Sequence, residues 1–169
     1  MFVDETGITT AMARRYGRGP TGERVHGAVP CGHWQTMTVL GALALDGVRA
    51  ARTVAAATEA DVFRALVAEF LVPQLPPGDV GIWDNLAPHK DAAVEALVRQ
   101  AGAHVLRLPP YSPDFNPIES CWSKLKTLLR GLAARAEPAL HDALREVWAT
   151  VTASDAQGWF ALCGYEVSS

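Results

Sequence analysis

The chain has 169 residues, 49% hydrophobic and 20% charged, the size and balance of one soluble globular domain with a sizeable core. A formal charge of −3 argues against nucleic-acid binding by bulk charge, although a local basic surface can coexist with an acidic total. Cys31, Cys121 and Cys163 are odd in number and lack ligand spacing, which speaks against a disulfide framework or a zinc site, and no signal peptide or membrane-length apolar run is present, so a reduced, cytoplasmic setting in a prokaryote is expected.

Met1-Phe2-Val3-Asp4 reads as the tail of a strand that has barely begun when it reaches its carboxylate. Thr6 to Gly32 is rich in Gly, Pro and Arg and reads as a long connection, with a short β possibility near Glu23 to Gly27. Gln35 to Leu45 and Val48 to Ala55, joined by Asp46-Gly47, form a hairpin signal. Thr58 to Asp61 has capping-box character, and Val62, Phe63, Leu66, Val67, Phe70 and Leu71 follow at helical spacing until Pro73. Val80 to Asp84 is a buried strand, Lys90 to Ala101 a second helix stopped by Gly102, and His104 to Leu108 a short strand.

Asn116-Pro117-Ile118-Glu119 is a helix start, with Asn as cap and Pro in the first turn. Ile118, Cys121, Trp122, Leu125, Leu128, Leu129 and Leu132 share one face; Glu119, Ser123, Lys126 and Arg130 share the opposite stripe. Two further helices, Pro138 to Thr152 and Ser154 to about Cys163, finish the chain as packing elements. The order β-β-β-α-β-α-β-α places three antiparallel strands before two parallel ones. That is an α/β, ribonuclease H-like arrangement: a mixed five-stranded sheet flanked by helices. Residues 1–135 are expected to form the main domain, with 136–169 a helical extension packed on it.

Asp84 closes a strand at the end where open α/β sheets place their ligands, and Glu119 is fixed in the first turn of a helix. Their spacing suits a shared metal site. Each has an ordinary alternative: Asp84-Asn85 as a strand-to-turn junction, and Glu119 as the partner of Asn116 in a capping box. Hard cations such as Mg²⁺ take oxygen ligands, so carboxylates suit them where His or Cys would not. Two basic stretches could line a phosphate track: Arg14, Arg15, Arg18 and Arg24, and Lys124, Lys126, Arg130 and Arg135.

Asp4-Glu5-Thr6-Gly7, the run from Asp84-Asn85 through Pro88-His89-Lys90, and the string Leu108-Pro109-Pro110-Tyr111-Ser112-Pro113-Asp114-Phe115-Asn116-Pro117-Ile118-Glu119, with Trp122 and Lys126 after it, together resemble the catalytic domain of DDE transposases of the mariner-like bacterial insertion-sequence group. The long string is highly specific, and the resemblance covers residues 2 to about 130. It implies a transposase catalytic domain that cleaves and joins DNA strands in cut-and-paste transposition. It also implies Asp4 as bridging ligand of two Mg²⁺ ions, for which Mn²⁺ can substitute, with Asp84 on one ion and Glu119 on the other.

Glu5 is the rival for the first role, but strand alternation points it to the opposite face from Asp4. Asn85 and His89 match a supporting DNxxxH pattern, and Arg14, Arg15, Arg18, Ser112, Asn116, Lys126 and Arg130 are the expected DNA contacts. The partners implied are transposon ends, target DNA at a TA dinucleotide, an upstream helix-turn-helix polypeptide and a second copy on DNA, with no membrane, in the nucleoid. Relatives carry the helix-turn-helix ahead of the catalytic domain, and none is expected within this chain. Two alternatives remain at this stage: another ribonuclease H-like metal nuclease, and an inactive truncated remnant whose first strand is too short to hold Asp4.

Overall fold

In a computed structural model, residues 1–54, 60–84 and 92–167 are described. β1 (Phe2–Thr9) is the central strand of a five-stranded sheet ordered β3-β2-β1-β4-β5. On one side it pairs antiparallel with β2 (Thr36–Ala44) along its whole length, and β2 turns at Leu45-Asp46 into β3 (Gly47–Val54). Gly47 makes that turn possible with a φ of 122°, open to glycine and strained for other residues. On the other side β1 runs parallel to β4 (Val80–Trp83), which is parallel in turn to β5 (His104–Arg107). Three antiparallel strands followed by two parallel ones make this the ribonuclease H-like arrangement.

The first strand is longer than its opening residues imply. Thr6, Ile8 and Thr9 continue the β-prone alternation past Asp4, and Thr9 still pairs with Thr36. The connection therefore begins at Thr10, and the remnant reading, which rests on a truncated first strand, loses its premise. The expected β segment at Glu23 to Gly27 is not formed: residues 14–35 carry no helix or strand and are almost all exposed.

Each face of the sheet buries a separate apolar layer. One holds Val3, Leu40 and Ala42 from the strands against Phe63 and Leu66 of α1 (Ala60–Leu66), Val67 and Leu71 of the π-helical turn that follows it, and Val94 and Val98 of α2 (Ala92–Gln100). Pro73 falls in the 3-10 turn Val72–Gln74, after which the backbone is extended at Leu75. Thr58 and Lys90, expected at the starts of α1 and α2, lie outside the described residues.

The other face packs Phe2, Ile8, Val39 and Leu43 against α3 (Pro117–Leu132), α4 (Glu137–Trp148) and α5 (Ala153–Leu162). Ile118, Cys121, Trp122, Leu125 and Leu129 of α3 are buried, whereas Leu128 and Leu132, expected on the same face, are 38% and 42% exposed at its edge. Phe160 meets Phe2 edge-on at 5.2 Å between ring centroids, and Tyr165 meets the same ring at 5.1 Å while donating to the Phe115 carbonyl. The last helix thus braces the strand that carries Asp4, and Tyr165 after it braces the turn before α3. No helix among the described residues is long and apolar enough to cross a membrane.

Candidate metal centre

Strand register brings the first two carboxylates together. Phe2 pairs with Ile82 across the parallel β1–β4 interface, so two residues on, Asp4 within β1 and Asp84 just past the end of β4 fall near one another, and the charge of Asp84 acts on Asp4. Alternation keeps both on the face that holds Phe2 and Ile82, since both of those pack in the α3 layer. Glu5, like Val3, belongs to the opposite face.

α3 supplies the third carboxylate. Its first turn carries Glu119 exposed at the rim, and the carboxylates of Glu119 and Asp84 both act on Asp4 through their charge. No side chain caps this helix. The contrast with α5 is informative, because there Thr152 and Asp155 do close a capping box. Glu119 closes none, so the ordinary explanation for an acid at this position does not hold.

Asn116 is placed as the cap but its amide is used elsewhere. Its Nδ2 donates to Oδ2 of Asp4 at 3.5 Å, and the indole Nε1 of Trp122 donates to the same oxygen at 3.1 Å. The Glu5 amide donates to Oδ1 at 2.8 Å. Asp4 is only 6% exposed, and burial pushes its carboxyl up, the charges of Glu119 and Asp84 adding to that, while the Glu5 and Trp122 hydrogen bonds pull it back; the result is about 6. These two partners of Asp4 were not readable as such: Trp122 sat among apolar core positions and Asn116 in a helix-start signature. The available signal was that a buried indole needs an acceptor for its N–H.

A raised carboxyl has a defined consequence for stability. The folded chain keeps the Asp4 proton until about pH 6, while the unfolded chain releases it near 3.8, so this group favours folding at low pH and opposes it increasingly as pH rises from 4 through 6. The cost at neutral pH is on the order of 3 kcal/mol. Asp4→Asn, which removes the buried charge, is expected to raise metal-free stability at pH 7.5 by up to about that amount and to flatten the slope between pH 4 and 6. Urea unfolding at several pH values measures it, and an Asp4→Asn protein less stable than the parent at pH 7.5 would contradict it.

Among the described residues no group of three His, Cys, Asp or Glu stands close enough to hold a metal ion as it is. Like charges repel, and a set of carboxylate donors fits a hard divalent ion in kind. A buried carboxylate beside two other negative charges is what such an ion would neutralise. The supporting Asn85 and His89 lie outside the described residues.

The expected DNA contacts divide. Arg14, Arg15 and Arg18 line one groove with Arg130, and His26 and Arg135 join them there. Arg14 passes over α3 at Gly131, where an added Cβ would stand 3.4 Å from its Nη2. Arg135 donates to the carbonyls of Thr10 and Met12, fixing the root of the Arg-bearing segment. Ser112 donates to the Pro110 carbonyl, and Lys126 lies half-buried on α3. Asn116 is 5% exposed and turned onto Asp4, so it is not available to DNA in this arrangement. Lys124 is drawn away from any phosphate track, because it bonds the Thr150 carbonyl at 2.8 Å and Asp155 at 2.7 Å.

Residues 1–139 match the sequence profile of the DDE superfamily endonucleases. The transposable element Tc1 transposase of Caenorhabditis elegans is 28% identical over 94 residues, covering 56% of this chain and 34% of that protein. The transposable element Tcb2 transposase of Caenorhabditis briggsae is 31% identical over 71 residues, covering 42% and 26%. Among solved structures, the Mos1 transposase paired-end complex with left transposon end superimposes with a TM-score of 0.71 at 16% identity, over 96% of this chain and 50% of that one. The Mos1 transposase catalytic domain with Raltegravir and Mg superimposes at 0.66 and 14% identity, over 99% and 84%. This chain therefore spans about a third of Tc1, a quarter of Tcb2 and half of the Mos1 chain in the paired-end complex.

Proposed function

The chain belongs to the DDE superfamily endonucleases, and we propose that within that family it is a transposase catalytic domain that cleaves DNA at an element's ends and joins them to target DNA. The observation that carries this reading is the convergence of Asp4, Asp84 and Glu119 from β1, the end of β4 and the first turn of α3, with Glu119 free of any capping role. Asp4, Asp84 and Glu119 would hold two Mg²⁺ ions, with Mn²⁺ as substitute. Bound there, the ions supply Lewis-acid stabilisation of the attacking and leaving oxygens.

The chain's own residues hold the reacting phosphodiester and keep the three carboxylates aligned through two successive displacements. In the first, water breaks the bond at the element's end and leaves a 3′-hydroxyl; in the second, that hydroxyl attacks target DNA, at a TA dinucleotide. Both develop charge on the same phosphoryl oxygens, so one carboxylate set serves both. The groove of Arg14, Arg15, Arg18 and Arg130 would follow the sugar-phosphate backbone, with Ser112 and Lys126 as further contacts, and such contacts position DNA without reading its sequence. Sequence preference for the ends is assigned to a helix-turn-helix polypeptide outside these residues, and function to a homodimer assembled on DNA in the nucleoid of a prokaryotic cell.

Incubation of the 169-residue chain with pre-cleaved 3′-hydroxyl ends, TA-bearing target and Mg²⁺ tests this. Joined product with little preference for the sequence of the end is expected. Cutting of branched DNA or RNA–DNA hybrids without any joining would point instead to another metal nuclease of this fold.

A further inference from the structure

We propose that Trp122 and Asn116 are positioning residues for the first carboxylate: they engage Oδ2 of Asp4, so that Oδ1 is the oxygen first presented to a divalent cation, and Asn116 is the partner that gives way when a second cation requires Oδ2. This rests on the reading of Asp4, Asp84 and Glu119 as a metal centre. Each carboxylate oxygen has about two acceptor directions. On Oδ2 both are engaged, by the indole and by the amide, while among the described residues Oδ1 accepts from the Glu5 amide alone.

The two donors on Oδ2 are unequal. The indole bond is 3.1 Å long and the amide bond 3.5 Å, at the limit of what counts as a hydrogen bond. Asn116 is also in an uncomfortable position, since its Oδ1 is buried with no hydrogen-bond partner among the described residues. Movement of Asn116 would both free Oδ2 and relieve that oxygen. Trp122 has no such freedom: it is 2% exposed and meets Trp148 edge-on at 5.7 Å between ring centroids.

Gly41 makes the indole's position possible. It is the register partner of Asp4 on β2, and a Cβ there would lie 2.4 Å from Cη2 of Trp122. Any side chain at this point would push the ring off the strand and its N–H away from Asp4. Because Trp122 follows Glu119 by three residues on α3, the same helix delivers the third carboxylate and orients the first.

The test is Mn²⁺ titration by calorimetry and electron paramagnetic resonance on the full chain, comparing the parent with Trp122→Phe, which keeps an aromatic ring and removes the N–H, and with Asp4→Asn. A tenfold or greater loss of Mn²⁺ affinity in folded Trp122→Phe is expected, the usual scale for partners that orient a metal ligand. Gly41→Ala, with Trp122 intact, should lose affinity to a similar extent. In parallel, the Trp122 indole ¹H–¹⁵N resonance, assigned from its contact with Gly41, should move on adding Mg²⁺ to the parent and stay fixed in Asp4→Asn. Should Trp122→Phe fail to fold, that resonance decides alone. Affinity within twofold of the parent, or a resonance that ignores Mg²⁺ in a parent that binds it, overturns the positioning role. If the parent and Asp4→Asn bind Mn²⁺ equally, the metal-centre reading itself falls and takes this inference with it.

Discussion

Glu119→Gln and Asp84→Asn are each expected to reduce strand cleavage by roughly a thousandfold or more, and to reduce joining of pre-cleaved ends to the same degree, on the scale of losing an electrostatic stabiliser of the transition state. The equal loss in both steps is the informative part. If one carboxylate set serves both displacements, neither substitution can separate them. The fold should survive Glu119→Gln, because this side chain is exposed and caps nothing. Pre-cleaved substrate is needed, since otherwise a block in cleavage would hide the state of joining. A Glu119→Gln protein that joins such ends at the parental rate would return Glu119 to an ordinary surface position.

The second large effect concerns the part of the chain beyond the matched family profile. Cutting the chain after Ala139, where that match ends, is expected to prevent folding. It would remove Leu140, Leu144, Val147, Ala156 and Phe160, all buried against α3 and β1, together with the Tyr165 bond to Phe115. A milder version is Phe160→Ala, which deletes a ring that is 8% exposed and packs on Phe2; a loss of about 3 to 5 kcal/mol is expected. That is a large share of the 5 to 15 kcal/mol typical of whole domains. Circular dichroism and urea unfolding measure both, and a cooperatively folded 1–139 fragment would show the C-terminal helices to be dispensable.

Much of this architecture is written locally. The hairpin at Asp46-Gly47, the apolar run before Asp84 and the Pro117 helix start are signals carried by a few neighbouring residues, and all three elements form where those signals lie. Asp84 and Glu119 were legible as candidates for the same reason, each standing at the junction of a readable element and its loop, whereas Asp4 lies inside β1. What could not be read depends on residues far apart in the chain. β1 extends to Thr9 because β2 pairs with it there, and nothing between Thr6 and Thr9 announces that partner. Asn116 looks like a helix cap from its neighbours, yet a buried carboxylate 112 positions away takes its amide. Gly41 reads as a residue inside a strand, and its purpose is visible only once Trp122 lies against it. The division of the arginines and lysines is of the same kind: Lys124 and Arg130 are equivalent in sequence, but Asp155 captures the first and the Arg14 groove receives the second.

The central claim is that carboxylates from β1, β4 and α3 form one divalent-metal centre. Crystals of the 169-residue chain soaked in Mn²⁺, with anomalous scattering used to locate the ions, test it most directly. Anomalous density is expected among Asp4, Asp84 and Glu119, with Asp4 between two ions, and is expected to be lost in Asp84→Asn. Density elsewhere, or unchanged density in that variant, would contradict it.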